Sequence, residues 1–392
     1  MSERSASIFS LKFWLLCISS FLFSSSFNML IPELPSYLTK IGGAGYKGYI
    51  IALFTFTAGI SRPFSGRLTD TIGRVPVMAI GSLVCFVCGF LYPVWTSVAG
   101  FLFIRLIHGF STGFKPTATA AYISDIIPAN RWGEAMGIHG LCFSTGLAIG
   151  PAVGSYITSL YSFNTLFYIS SAFAFLSIAI LLNLQETHQQ KQPFRLDLLK
   201  LHKKDIIEPL VLPAAAITFL GYVSYGTVLT LIPDWSDHLG IRNKGLFFIV
   251  FTASSLLVRL AAGRLSDRKG RVYVLKIALS LIAISVCLIG WARSIPSLMT
   301  GTIIYGIGVG IFSPASAAWT ADLSNPEHRG RAMATMYIAL EAGIGIGALA
   351  AGWLFQENLE RIPMIFYSAA MITACGMLYL MKTSWQHPAQ KS

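Results

Sequence analysis

The chain reads as an all-α membrane protein with twelve transmembrane helices in two pseudo-symmetric six-helix bundles. Three observations carry that reading. Of 392 residues, 54% are hydrophobic and only 12% charged, against roughly 25% charged in soluble domains. The apolar residues gather into twelve runs, each close to the roughly 20 helical residues that cross a bilayer. The second half also repeats landmarks of the first at a nearly constant offset.

The runs lie near 8–31, 47–66, 75–95, 97–124, 133–158, 162–184, 209–233, 245–263, 272–292, 296–321, 331–355 and 362–381. Without water in the bilayer core, each must satisfy its backbone as a helix, and internal Gly and Pro are tolerated there. The first run is too long for a signal-peptide core and lacks a small-residue cleavage site, so it reads as an uncleaved span. With the N-terminus inside, nineteen loop cations face one side and six the other, which places both termini in the cytoplasm. The net charge of +12 then belongs to cytoplasmic loops and not to a nucleic-acid surface. Arg62, Arg105, Lys115 and Arg259 remain inside spans. The polar stretch 185–208 is a cytoplasmic linker that separates a bundle at 1–184 from one at 209–392. Its Lys200, Lys203 and Lys204 suit water or anionic lipid headgroups equally.

The repeat is specific. RPFSGRLTDTIGR at 62–74 returns as RLAAGRLSDRKGR at 259–271, 197 residues later. The same offset pairs Lys47-Gly48 with Lys244-Gly245, Asp125 with Asp322, and Gly146 and Gly150 with Gly343 and Gly347. Leu30-Ile31-Pro32-Glu33 returns as Leu231-Ile232-Pro233-Asp234. Parallel duplicated bundles are an architecture in which one half rocks against the other around a midplane site.

The segments from Gly66 to Arg74 and from Gly263 to Arg271 resemble the cytoplasmic loop signature of the major facilitator superfamily, after spans two and eight. The resemblance covers nearly the whole chain. It implies that Gly66, Asp70, Gly73 and Arg74, with Gly263, Asp267, Gly270 and Arg271, latch one transport state. It also implies that Asp125 and Asp322 pair with Arg74 and Arg271. Read from the residues alone, the glycines permit a tight turn and close helix approach. Asp70 can accept charge-assisted bonds or sit at a helix N-terminus. In span five, Gly137, Gly146, Gly150, Pro151 and Gly154 resemble the antiporter motif of family members that export drugs or metabolites by proton exchange. Ser155 stands where that motif usually has Gly. Glycines at this spacing let helices pack closely, and Pro151 bends its helix.

Span four carries the polar residues of most interest. At about 100° per residue, Arg105, His108, Thr112, Lys115 and Thr119 fall in one ~80° stripe, which must face protein or a water-filled cavity. Arg105, in RLIHGFSTG, resembles the arginine of the family's span-four motif, linked in exporters to proton transfer. The repeat puts Thr302, Tyr305 and Phe312 where Arg105, His108 and Lys115 stand, so the scaffold itself does not demand the basic stripe. Arg105 and His108 are candidates for proton coupling, since histidine ordinarily titrates near neutrality. Lys115, Thr112 and Arg105, with Tyr225 and Tyr337, are candidates for cargo binding. Tyr222, Tyr305 and Phe114 are further cavity aromatics, while Trp95, Trp235, Trp291 and Trp353 mark interfaces or packing. Glu341 is the one acid deep in a span of the second half. A carboxyl group that alternates between dry and wet surroundings loads and releases a proton. Glu341 is therefore the leading coupling residue, expected to face Lys115 or Arg105. Glu33 and Asp234 are expected at the external mouth as gate or surface groups, and Arg62 and Arg259 as scaffold.

The sequence has no phosphate loop, catalytic triad or zinc-protease motif. Cys85 and Cys88 form a lone CxxC inside an apolar span, a poor metal or redox site. No metal, cofactor or enzymatic activity is expected. The function the resemblance implies is proton-coupled export of a small organic molecule by alternating access. Two cations and a histidine on span four favour an organic anion or siderophore-like metabolite as cargo, with a drug as the other class. The expected partners are that cargo, protons and membrane lipid, around a monomer in a bacterial inner membrane. Alternatives are a proton symporter for a sugar or organic acid, and a non-transporting membrane sensor of the same fold.

Overall fold

A computed structural model describes residues 10–128, 131–188, 192–199, 207–324 and 329–382, without the side chains at 132, 133, 196, 199, 260–264, 267 and 329. The described residues form α1 (Leu11–Asn28), α2 (Leu34–Lys40), α3 (Lys47–Thr69), α4 (Arg74–Leu91), α5 (Val98–Ile126), α6 (Trp132–Leu160) and α7 (Phe163–Leu181). After the linker come α8 (Leu212–His238), α9 (Gly245–Lys269), α10 (Arg271–Trp291), α11 (Ile295–Leu323), α12 (Arg329–Phe355) and α13 (Ile362–Lys382). Twelve of these are the expected spans. The thirteenth helix, α2, is seven residues long and follows Pro32.

Among the described residues, eight helices are long and apolar enough to cross a membrane by length and composition. The serines of α1 and the cations of α3 and α5 dilute those spans, and α9 counts as apolar only over Gly245–Arg259. Ends follow local chemistry. Ser97 caps α5 by accepting from Gly100 N at 3.1 Å, and Ser162 caps α7 from Thr165 N at 3.2 Å. At α11 the Ser294 and Ser297 side chains cap reciprocally, satisfying backbone donors that a helix start leaves open. Pro233 lies inside α8, which runs on to His238, five residues past the expected limit.

The chain divides into two compact units. Unit 1 comprises residues 1–37 and 56–201, and unit 2 comprises 38–55 and 202–392. The first turns of α3 therefore group with the second unit, unlike the simple division at the linker. Within unit 1 the main pairings are α4 with α5, α1 with α6, α4 with α7, and α1 with α7. Within unit 2 they are α8 with α12, α10 with α11, α9 with α11, α10 with α13, and α8 with α13, which repeats the unit 1 scheme and adds the α9–α11 pair.

The α6–α1 crossing shows why glycine recurs in α6. A Cβ at Gly146 would sit 2.7 Å from Phe21 O, and one at Gly150 2.9 Å from Ser25 O. A Cβ at Gly154 would collide with the Met29 carbonyl. Two expectations are corrected here. Gly137 has nothing within 4 Å of a built Cβ, so it does not serve this close approach. Gly66 lies within α3 and is equally open. The tight turn is made three residues later and ends at Gly73, whose φ of +119° disfavours any side chain. α6 continues as one helix through Pro151.

Candidate functional site

The basic stripe of α5 faces the interior of unit 1. Arg105, His108, Lys115 and Thr119 are buried. Arg105 Nη1 donates to Tyr92 Oη at 3.4 Å, and that hydroxyl lies 3.1 Å from His108 Nδ1. His108 Nε2 lies 3.2 Å from Cys85 Sγ, and Cys85 Sγ lies 3.3 Å from Ser26 Oγ. Ser26 donates to Ser170 O at 2.7 Å. A guanidinium can only donate, so the Tyr92 proton is directed to Nδ1, and His108 takes the tautomer protonated at Nε2. One directional file of hydrogen bonds thus runs from α5 through α4 and α1 to α7.

Lys115, 1% exposed, ends a second network. Its Nζ donates to Ser19 O at 3.0 Å, to Ser19 Oγ at 2.9 Å, and to Ser177 Oγ. The Phe23 ring centroid lies 4.7 Å away. Ser19 Oγ donates to Ser177 O, and Ser177 Oγ to Ser19 O, each at 3.0 Å. With both hydroxyl protons committed, both oxygens are left to accept from the ammonium. The three donors of Lys115 meet three acceptors, none a carboxylate, among the described residues. Hydroxyls and a carbonyl thus take the place of the expected ion pair. Thr112 and Thr119 bond their own helix, to Gly109 O at 3.2 Å and Lys115 O at 2.8 Å.

The loop motif of unit 1 is tightly tied. Arg74 donates to Asp70 Oδ1 at 2.9 Å, Thr69 O at 2.6 Å and Asp125 Oδ2 at 3.1 Å. In unit 2, Arg271 donates to Asp322 Oδ2 at 2.9 Å and to Ser266 Oγ at 3.1 Å. The surroundings of Gly263 and the Asp267 side chain fall outside the described residues, as do Lys200, Lys203 and Lys204, while Gly270 caps α9 with φ +91°. Sequence reasoning missed Glu186, at the head of the linker. Its carboxylate accepts from the backbone N–H groups of Arg74, Val75, Thr187 and His188 at 2.9–3.0 Å. It therefore plugs the open N-terminus of α4, where a helix favours negative charge. Its signal was an acid just after an apolar run, at the head of the polar stretch.

In unit 2, Glu341 is 8% exposed in α12. Tyr222 is buried in α8, within electrostatic reach of Arg259, Tyr337 and Glu341. Its ring sits 6.0 Å from Tyr225 and 5.6 Å from Phe312. Tyr222 and Tyr225 thus meet ring to ring in the unit that holds Glu341 and Tyr337, a different unit from the α5 stripe. Arg259, read as scaffold, has its Nε buried with no hydrogen-bond partner among the described residues. Tyr305 and Phe312 fill the positions that His108 and Lys115 occupy in the first repeat, with Phe312 packed against the bare backbone of Gly221. At the ends of the repeat-related spans, Glu33 is buried and accepts from Ser155 Oγ at 2.6 Å. Ser155, the departure from the glycine motif, is what reaches it. Trp235 is buried and donates to Ile289 O at 3.0 Å, whereas Trp95, Trp291 and Trp353 are exposed. No three His, Cys, Asp or Glu among the described residues could hold a metal ion.

The sequence profile of the Major Facilitator Superfamily matches residues 16–242 and again 214–392. The chain belongs to the major facilitator superfamily. This superfamily member is 27% identical over 371 residues to "Multidrug resistance protein 2" of Bacillus subtilis, with 91% of each chain covered. It is 24% identical to "Quinolone resistance protein NorA" of Staphylococcus aureus, covering 94% of this chain and 96% of that one. Among solved structures, the human organic anion transporter MFSD10 superposes with a TM-score of 0.71 at 20% identity, over 94% and 98% of the two chains. A D-xylose–proton symporter superposes with a TM-score of 0.76 at 17% identity, over 97% and 98%. At these identities the structures establish the fold, that of a multi-pass membrane transporter.

Proposed function

We propose that this transporter exports a small organic molecule in exchange for protons by alternating access. It works as a monomer in a bacterial inner membrane with both termini cytoplasmic. The observation that carries the reading is the α6–α1 crossing, where Gly146, Gly150 and Gly154 bring two helix backbones together as the antiporter-like motif requires. The names of the multidrug relatives support it. Of the cargo classes weighed from sequence, an aromatic drug-like molecule fits best. The α5 cations that favoured an anion are engaged by Tyr92, Ser19 and Ser177, while Tyr222 and Tyr225 meet ring to ring in the unit that holds Glu341. Aromatic faces bind flat apolar cargo, and a buried carboxylate is the group that carries the proton. Arg105, His108 and Tyr92 form the second proton-handling group, and the Arg74 and Arg271 loops gate.

The test uses purified protein in liposomes under an imposed pH gradient, with a fluorescent lipophilic cation and an aromatic organic anion offered separately. Gradient-driven flux of the cation is expected. Flux of the anion alone would return the cargo to the anionic class, and flux of cargo with protons in the same direction would make the protein a symporter.

A further inference from the structure

The repeat sets an acid after the Ile-Pro pair of spans one and seven, as Glu33 and Asp234. The structure answers the two differently. Asp234 Oδ1 lies 2.8 Å from the Lys47 ammonium. Glu33 is 6% exposed, and among the described residues its carboxylate has one partner, the Ser155 hydroxyl, which donates to Oε1 at 2.6 Å. No described Lys, Arg or His forms an ion pair with it. Other acids are better met. Glu186 accepts from four backbone N–H groups, and Glu208 accepts from Arg331 Nε at 2.9 Å. A carboxylate offers about four acceptor positions, and burying its charge is costly unless a cation answers it.

The hydroxyl is as particular to the first repeat as the lone acid. Ser155 is 3% exposed. Its counterpart at the offset of 197 is Gly352, where a Cβ would collide with the Gly48 backbone. The second repeat therefore has neither the hydroxyl nor an acid without a cation at these positions. The backbone beside Glu33 is irregular. α1 ends at Asn28, a turn over 29–33 leads into α2, and Gly154 lies against the Met29 carbonyl, which accepts no hydrogen bond among the described residues. Carbonyl groups at the broken end of a helix are oxygen donors that hold small cations inside transporters. The neighbouring ionisable side chains do not supply the missing charge. Tyr37 donates to Tyr92 O at 3.2 Å, and Lys40, Tyr156 and Tyr168 are exposed.

We infer that Glu33 and Ser155, at the external end of the α1–α6 crossing, hold a small monovalent cation, a sodium ion or a proton, as counter-charge. The site gives unit 1 a cation station of its own, apart from Glu341. It rests on the antiport reading for its place at the external face, and deepens that reading.

The test is thermal unfolding of the purified full chain in sodium chloride or choline chloride of equal ionic strength, over a series of pH values. Sodium is expected to raise the melting temperature by about 2–4 °C over choline. Glu33→Gln keeps the size of the side chain and still accepts from Ser155, and is expected to lose the shift. Ser155→Gly keeps the acid, and is expected to raise the sodium concentration for half the shift by about tenfold. Glu360→Gln, at an exposed acid, is expected to keep the full shift. Should Glu33→Gln fail to accumulate, Ser155→Gly decides alone. A stabilisation that follows falling pH equally in both salts, and is lost in Glu33→Gln, upholds the site with the proton as its occupant. Equal responses to sodium and to pH in wild type, Glu33→Gln and Ser155→Gly overturn it. No cargo enters the measurement, so failure of the site and failure of the export reading are told apart.

Discussion

Lys115 sits in a ring of hydroxyl and carbonyl oxygens contributed by α1 and α7. Hydrogen bonds to a charged group each contribute about 1.5–3 kcal/mol, so the side chain staples three helices of unit 1. Lys115→Met keeps the stem and removes the ammonium. It is expected to destabilise the purified protein by about 2 kcal/mol, a fall of roughly 4–8 °C in melting temperature. An unchanged melting temperature with weakened cargo affinity would move Lys115 to the cargo site. Tyr92 makes a different prediction, because its hydroxyl joins Arg105 to His108. Tyr92→Phe is expected to lower proton-driven flux by about tenfold, roughly 1.4 kcal/mol, with membrane abundance preserved. Full activity would show that the file of bonds carries no proton.

At the scale of elements, the α6–α1 crossing and the start of α4 are the places where a small change acts on whole helices. Gly150→Val is expected to push α6 from α1 and abolish transport, since overpacking a close backbone contact costs about 1–3 kcal/mol. Gly137→Ala, in open space on the same helix, is expected to be neutral or to stabilise by up to about 1 kcal/mol. Equal effects of the two substitutions, read in the same vesicle assay, would contradict this account of the motif. Glu186→Ala is expected to loosen the loop before α4 by about 1–2 kcal/mol, visible as faster protease cleavage near Gly73. The spans were legible because hydropathy and charge are local signals: 74–91 and 362–382 fall within a few residues of the expected 75–95 and 362–381. Helix α2 was not legible, since seven residues after a proline carry too little periodicity. Nor were the partners of Lys115, because Ser19 and Ser177 lie 96 and 62 residues away in sequence. The stripe could be read as facing inward, but not as ending on serines.

For the whole molecule, the duplication keeps most of one scheme of helix pairing and fills it with different chemistry. The first repeat buries a guanidinium, an imidazole and an ammonium on α5, and the second puts Thr302, Tyr305 and Phe312 in those places on α11. The second repeat instead buries an acid in the middle of α12, Glu341. The proposed proton exchange assigns coupling to a carboxyl of the second repeat, so the two bundles share most of their helix pairings and differ in chemistry. The central claim is therefore that Glu341 carries the exchanged proton. It is tested most directly in everted membrane vesicles energised to an acid interior, with wild-type protein or Glu341→Gln at matched abundance. Addition of a lipophilic aromatic cation is expected to dissipate the pH gradient in wild-type vesicles and to leave it intact in the variant. Dissipation that persists unchanged in Glu341→Gln would contradict the account.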